Sequence, residues 1–185
     1  MIAVWIALAI LVLLVLYVIV SYNSLVRVRN RTDDSWSQID VQLRRRYDLI
    51  PNLVETVKGY AAHERQTLEE VTQARGAAID AKGPRDQAAA EGALSQALGR
   101  LFAVSEAYPQ LRAVESFTQL QGSLEEIETA VQNARRYYNA VVRDYNTKIE
   151  VFPTNLLAGA FGFTRREFFS LGNEEERDAP AVDFS

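Results

Sequence analysis

The chain has 185 residues, 48% of them apolar, a formal net charge of −4 and no cysteine. Disulfides and thiolate metal sites are thereby excluded, and the acidic balance argues against a nucleic-acid reader, which presents a basic face. Beyond an atypical first stretch there is sequence for about one domain of ordinary size, enough for a single core.

From Ile2 to Val20, nineteen consecutive residues are apolar or aromatic. At about 1.5 Å per residue they reach nearly 30 Å, the thickness of a bilayer's hydrocarbon core. Residues 1–21 therefore read as a membrane anchor carried by Ile2, Trp5, Leu11, Leu14, Tyr17 and Val20. A cleaved signal peptide would show a basic leader, a shorter apolar run and an A-x-A-like site, and none of these fits well. Trp5 at one end and Tyr17 with Tyr22 at the other sit where amphipathic rings meet the water boundary. Only the terminal amine precedes the span, whereas Arg27, Arg29 and Arg31 follow it, with Arg44, Arg45 and Arg46 farther on. The positive-inside rule then places the N-terminus outside and the following domain in the cytoplasm. Ser21 to Arg46 carries a net +3 and Glu167 to Ser185 a net −5. Anionic headgroups would attract the membrane-proximal arginines by about 1 kcal/mol each, although a purely orienting role accounts for them equally well.

After the anchor, apolar positions recur at a mean spacing of 3.6 from Leu25 through Val28, Thr32, Trp36, Ile39, Leu43, Tyr47, Ile50, Val54 and Val57 to Ala61. This is the period of one helix face, and it continues through Leu68, Val71 and Ala78 to a break at Gly83-Pro84. The pattern passes straight through Pro51. A proline inside a helix removes one hydrogen bond and clashes with the carbonyl four residues back, at a cost of about 3 kcal/mol. Unchanged phase on both sides predicts a kink at Pro51 rather than a stop, the alternative being one helix ending near Asp48 and another starting at Pro51.

A second, alanine-rich run starts near Asp86 and carries Leu94, Ala97, Leu101 and Val104 along one side to a corner at Tyr108-Pro109. The third run, from about Leu111 to Ile149, is the most regular. Phe117, Leu124, Val131, Tyr138 and Tyr145 repeat every seven residues, with Leu120, Ile127 and Val141 alongside. That alternation marks a seam packed against neighbouring helices. The expected fold is all-α: a transmembrane helix, then an antiparallel bundle of three long helices and a short C-terminal helical segment over residues 22–172. Residues 173–185, acidic and poor in apolar side chains, read as a flexible tail.

Little here points to chemistry. His63 is the single histidine and, without cysteine, cannot build an ordinary zinc site, so it reads as a polar bundle residue. Glu125, Glu126 and Glu128 are too close in sequence to converge and read as solvated. No phosphate-cradling glycine loop occurs. No catalytic, cofactor or metal residue is expected. Two stretches are less bland. Asn139 and Asn146 lie two helical turns apart, each after a seam tyrosine, and form a polar strip that either sets register inside the bundle or meets a partner. Leu156, Leu157, Phe161, Phe163 and Phe168 lie in an apolar segment around Arg165 and Arg166, which either caps the bundle or touches membrane or another subunit.

The stretches "SYNSLVRVRNRTDDSWSQIDVQLRRRYDLIPNLVETVKGYAAHE", "AYPQLRAVESFTQLQGSLEEIETAVQNARRYYNAVVRDYN" and "FPTNLLAGAFGF" resemble the LemA family of bacterial membrane proteins, from about Tyr22 to Phe169. The resemblance implies one N-terminal anchor, a helical domain, no cofactor and no established enzymatic activity. It implies residence in the bacterial inner membrane, with relatives linked to membrane organisation, magnetosome membranes and membrane proteases. The expected function is a noncatalytic scaffold that contacts the lipid bilayer, self-associates and organises or remodels the membrane. The alternative is an adaptor that presents substrates to, or regulates, a membrane protease. The tail after Asn173 falls outside the pattern that carries the likeness.

Overall fold

The computed structural model describes residues 1–170, so the expected tail from 173 onward lies outside the described residues. Six helices follow in chain order: α1 (Ile2–Lys58), α2 (Arg65–Asp80), α3 (Gly83–Glu106), α4 (Pro109–Arg112), α5 (Glu115–Glu150) and α6 (Thr154–Ala160). No strand occurs among the described residues. The all-α expectation holds, with two corrections to the helix inventory.

The first run is not one helix to Ala78. It breaks between Lys58 and Arg65, where Gly59 weakens the last turn and Tyr60 and Ala61 both bond back to the Val57 carbonyl. Ala61 is fully buried in this turn, so the apolar phase is kept by a loop residue although the helix has ended. The third run is likewise divided. Leu111 is buried in the one-turn α4, and α5 starts four residues later. The turn at Gly83-Pro84 is as expected, with Gly83 at φ 82° and Pro84 in the first turn of α3, where its missing N–H costs nothing.

The chain forms two compact units, and α1 and α5 each contribute to both. In the first, Met1–Gln38 meets Arg136–Glu167. Lys148 donates to the Ser24 hydroxyl and the Trp36 ring lies 5.3 Å from Tyr138, so these parts of α1 and α5 run antiparallel. Leu25, Tyr145, Ile149, Ala158 and Phe163 make a continuous core, with Val26 and Val28 packed against it. The buried hydroxyls of Thr32 and Ser35 bond back to carbonyls of their own helix, which lets polar side chains occupy an apolar face.

The second unit contains Ile39–Arg135 and the described residues from Phe168. Here the end of α1, α2, α3 and the start of α5 pack around a common core that includes Ile39, Leu43, Leu53, Leu94, Leu101 and Phe117. α2 and α3 are antiparallel, joined by Arg100–Glu70 near one end and Gln87–Ala78 near the other.

Candidate functional site

Three places in the molecule bear on function. The first is the exit from the apolar stretch in the first unit. Every side chain from Met1 to Val20 is exposed apart from the half-buried Val18, so this part of α1 is long and apolar enough to cross a membrane and bare of protein contacts. Folded packing begins at once: Leu25 is fully buried, and the Tyr22 ring stands 4.9 Å from Phe161 and 6.0 Å from Phe163 in edge-on geometry. The Arg29 guanidinium lies 5.3 Å from the centre of the Phe163 ring, a cation–π contact. Arg166 pairs with Asp33 at 2.8 Å and Arg165 with Glu150 at 3.1 Å.

The second place is a sealed polar cluster in the second unit. Arg46 of α1 is only 6% exposed; its Nη1 donates to Glu91 at 2.9 Å and its Nη2 to the Ser95 hydroxyl at 2.9 Å. Glu128 of α5 stands 3.1 Å from the same Nη1 as an ion contact whose direction is not that of a hydrogen bond. The Tyr47 hydroxyl donates to the other oxygen of Glu91 and Gln87 donates to Tyr47 at 2.9 Å, so Glu91, at 2% exposure, is held by three side chains. Burial, reinforced by the Glu91 carboxylate, pushes the Tyr47 hydroxyl well above the ordinary tyrosine range, which keeps it a donor. A carboxylate enclosed in this way is paired and bonded where it sits, and its chemistry is structural: it ties α3 to α1, and the Arg46–Glu128 ion contact adds α5. Beside it, the Tyr47 carbonyl accepts a 2.8 Å bond from Arg75 Nε of α2. That carbonyl is the one four residues before Pro51, whose missing N–H would otherwise leave it without a helical partner.

The third place is an open groove of about 700 Å³ where the end of α1 meets α2, lined by Val54, Glu55, Lys58, Arg65, Leu68 and Glu69 among others. Its lining carries both signs of charge, from Glu55, Lys58, Arg65 and Glu69. Among the described residues no group of three or more His, Asp or Glu is placed to hold a metal.

The expected residues distribute as follows. α1 runs unbroken through Pro51, so the reading of two helices divided there is not what the chain adopts; Pro51 is exposed while Ile50, Leu53 and Val57 are buried. Of the seam, Phe117, Leu124, Ile127, Val131, Tyr138, Val141 and Tyr145 are buried and Leu120 is half-buried. Asn146 is buried and clasps the Arg166 backbone, accepting from its N–H and donating to its C=O, both at 2.9 Å. Asn139 is half-buried, so the two asparagines do not form a shared open strip. The apolar segment is divided: Phe163 is buried, Leu157 and Phe168 are half-buried, and Leu156 and Phe161 are 64% and 52% exposed. His63 is exposed in the turn between α1 and α2, which corrects its expected place within the bundle, and Glu128 is partly buried against Arg46, which corrects its reading as solvated. Arg27, Arg29 and Arg31 are exposed.

The cluster around Arg46 escapes a reading by residue type, which assigns arginine, glutamine and glutamate to the surface. The signal is nonetheless present. Residues 39, 43, 46, 50, 53 and 57 alternate by four and three, as do 87, 91, 94, 98, 101 and 105, and Arg46, Gln87 and Glu91 occupy buried places in those series.

Compared with known protein families, residues 35–184 match the LemA family. The match reaches past Asn173, so the acidic tail, set outside the family pattern on sequence alone, lies within it. Among curated proteins, the chain is 30% identical over 174 residues to magnetosome protein MamQ 2 of Paramagnetospirillum magneticum, covering 80% of this chain and 64% of that protein. It is 26% identical over 185 residues to magnetosome protein MamQ of Magnetospirillum gryphiswaldense, covering 86% and 68%. Protein LemA of Metamycoplasma hominis is 26% identical over 160 residues, covering 84% and 72%. The chain thus spans just under two thirds of the length of the first of these relatives. A family match over residues 35–184, most of the chain, places this protein in the LemA family.

Proposed function

We propose that this protein is a noncatalytic, membrane-anchored scaffold that self-associates and organises or remodels the bacterial inner membrane, with the domain after the span in the cytoplasm. The observation that carries this reading is the lack of any linker at the membrane. Packing starts at Tyr22 and Leu25, within two turns of the last residue of the span, so the first unit stands directly on the bilayer surface. A domain tethered for diffusional capture of distant partners gains from a flexible spacer, whereas one that acts on the membrane gains from being seated on it. Arg27, Arg29 and Arg31, exposed just beyond the span, support the cytoplasmic orientation. The MamQ relatives, named as magnetosome proteins, lend support from comparison.

The test is reconstitution of the full chain into liposomes with imaging of their shape, alongside mass photometry of the detergent-extracted particle. Remodelled vesicles and an oligomeric particle are expected. Unaltered vesicles together with a strictly monomeric particle would refute the scaffold, and specific crosslinking in cells to a membrane protease would replace it with the adaptor reading. Protease protection of the domain in right-side-out vesicles checks the orientation separately.

A further inference from the structure

The antiparallel pairing inside the first unit fixes what lies level with the end of the span. Lys148 of α5 reaches Ser24 of α1 and Tyr138 meets Trp36, so Val151 and Phe152, just past the end of α5, stand about level with residues 20 to 23. Phe161, at the far end of α6, touches Tyr22. The turn and short helix between them therefore lie at the membrane boundary if residues 2–20 cross the bilayer. At that level the chain exposes apolar side chains: Val151 is 47% exposed, Phe152 79%, Leu156 64% and Phe161 52%. From Val151 to Thr164 there is no charged side chain, and the charges that flank this stretch, Glu150 and Arg165, pair with each other.

We infer that Val151, Phe152, Leu156 and Phe161 form a second membrane contact, a wedge that enters the interfacial layer of the same leaflet from which α1 emerges. This rests on the anchor reading of residues 2–20. Water is a poor solvent for four large exposed apolar side chains between residues 151 and 161, and a bilayer's polar layers add about 5 to 7 Å on each side of its hydrocarbon core, deep enough to take them. Continuity decides the occupant: the lipid is already beside Tyr22, and a wedge level with Val20 meets it without any movement of the protein. The surroundings suit an anionic leaflet. Ser21 to Arg31 carries three arginines and no acid, and Tyr22 is an aromatic side chain of the kind that settles at headgroup level. Part of the segment is excluded from this role, since Phe163 turns inward to the core with Leu25 and Tyr145. A short wedge beside a span would widen the headgroup side of one leaflet, which is the geometry that favours curvature.

The cysteine-free chain allows the test to be made on the full-length protein. Single spin labels are placed at Phe152→Cys, Leu156→Cys, Leu11→Cys and Tyr137→Cys in vesicles of phosphatidylcholine and phosphatidylglycerol. Collision with oxygen, which favours lipid, is then compared with collision with a water-soluble nickel chelate. Phe152 and Leu156 are mostly exposed, so neither exchange removes a packed side chain. Tyr137 is exposed beside Trp36's partner Tyr138, about 24 Å of helix beyond Val20, and reports water. Leu11 reports the span. The expected result is an oxygen-to-nickel ratio at 152 and 156 several-fold above that at 137 and below that at 11. A ratio at 152 and 156 equal to that at 137, with the label at 11 in hydrocarbon, overturns the wedge and leaves the anchor standing. Shielding of 152 and 156 from both reagents also overturns it, since the face is then covered by protein. A water-exposed label at 11 overturns the anchor reading and the wedge with it.

Discussion

Pro51 and Arg75 give the sharpest test of how this fold tolerates an internal proline. Pro51 cannot donate to the Tyr47 carbonyl, and Arg75 of α2 does so instead at 2.8 Å. If the guanidinium replaces the missing amide, the two sites are energetically coupled. Arg75→Ala in the natural background leaves a partly buried carbonyl without its charged donor, a loss of about 1.5 to 3 kcal/mol. In a chain of 185 residues unfolding as a whole, that lowers the melting temperature by roughly 3 to 12 °C. Pro51→Ala restores the helical N–H and relieves the ring clash, and is expected to raise stability by up to about 3 kcal/mol, less whatever strain the helix has already relaxed. In the Pro51→Ala background, Arg75→Ala removes a bond the carbonyl no longer needs, and its cost falls below about 1 kcal/mol. The double-mutant cycle thus carries a coupling of about 1 to 2 kcal/mol, well above the error of additive sites. Thermal and guanidinium unfolding of the four full-length proteins in mild detergent, followed by circular dichroism at 222 nm, measures it. Additive effects within about 0.3 kcal/mol would refute the substitution of one donor for another.

The sealed cluster makes a different demand. Arg46→Ala strands Glu91 in the core and is expected to cost about 3 to 5 kcal/mol, whereas Arg46→Met with Glu91→Leu removes both charges and should recover most of that loss in the same unfolding assay. Asn146→Ala frees both backbone groups of Arg166, with an expected loss of about 1 to 3 kcal/mol and faster tryptic cleavage after Arg165 and Arg166; unchanged cleavage would show that the clasp does not hold this segment. Burial pushes the Tyr138 hydroxyl up to about 12 and also raises Tyr145 and Tyr47 above the ordinary tyrosine value. Because the folded state keeps these protons longer than the unfolded chain, the stability they contribute is full below about pH 10 and is lost as pH rises toward 12. Absorbance at 295 nm at pH 11 should therefore increase when guanidinium unfolds the protein, and an equal signal before and after would contradict the burial of these rings.

Helix content and the seam were legible in the sequence because both are periodic. A spacing of 3.6, or of alternating three and four, reports which side of the chain faces inward, and the buried places of Phe117, Leu124, Val131 and Tyr145 follow from that alone. The same signal does not report whether the chain is continuous. Ala61 keeps the phase of α1 while standing in a turn, and Leu111 keeps the phase of α5 while belonging to α4. In both cases the apolar side chain is required by the core, and the backbone that delivers it is free to be helix or turn. Gly59, just past the last residue of α1, was the local mark of the break, and the strength of the surrounding period concealed it.

Residues that join polar chemistry to burial escaped for a related reason. Arg46, Gln87 and Glu91 sit on the inward face by phase, but residue type alone assigns them to solvent, and which of the two indications prevails depends on whether partners arrive from other helices. Here they do: Glu91 is met by Arg46 and Tyr47, and Tyr47 by Gln87, although Arg46 Nε and one Glu128 oxygen are buried without a hydrogen bond. Pro51 and Arg75 follow the same logic on the main chain, where a donor removed by one residue is restored by another 24 positions on. Such pairs are invisible to any one-dimensional pattern, since neither member has a reason to be buried until the other is in place. A charged residue that falls in phase with a core seam therefore marks a helix contact whose partner must be sought on another segment.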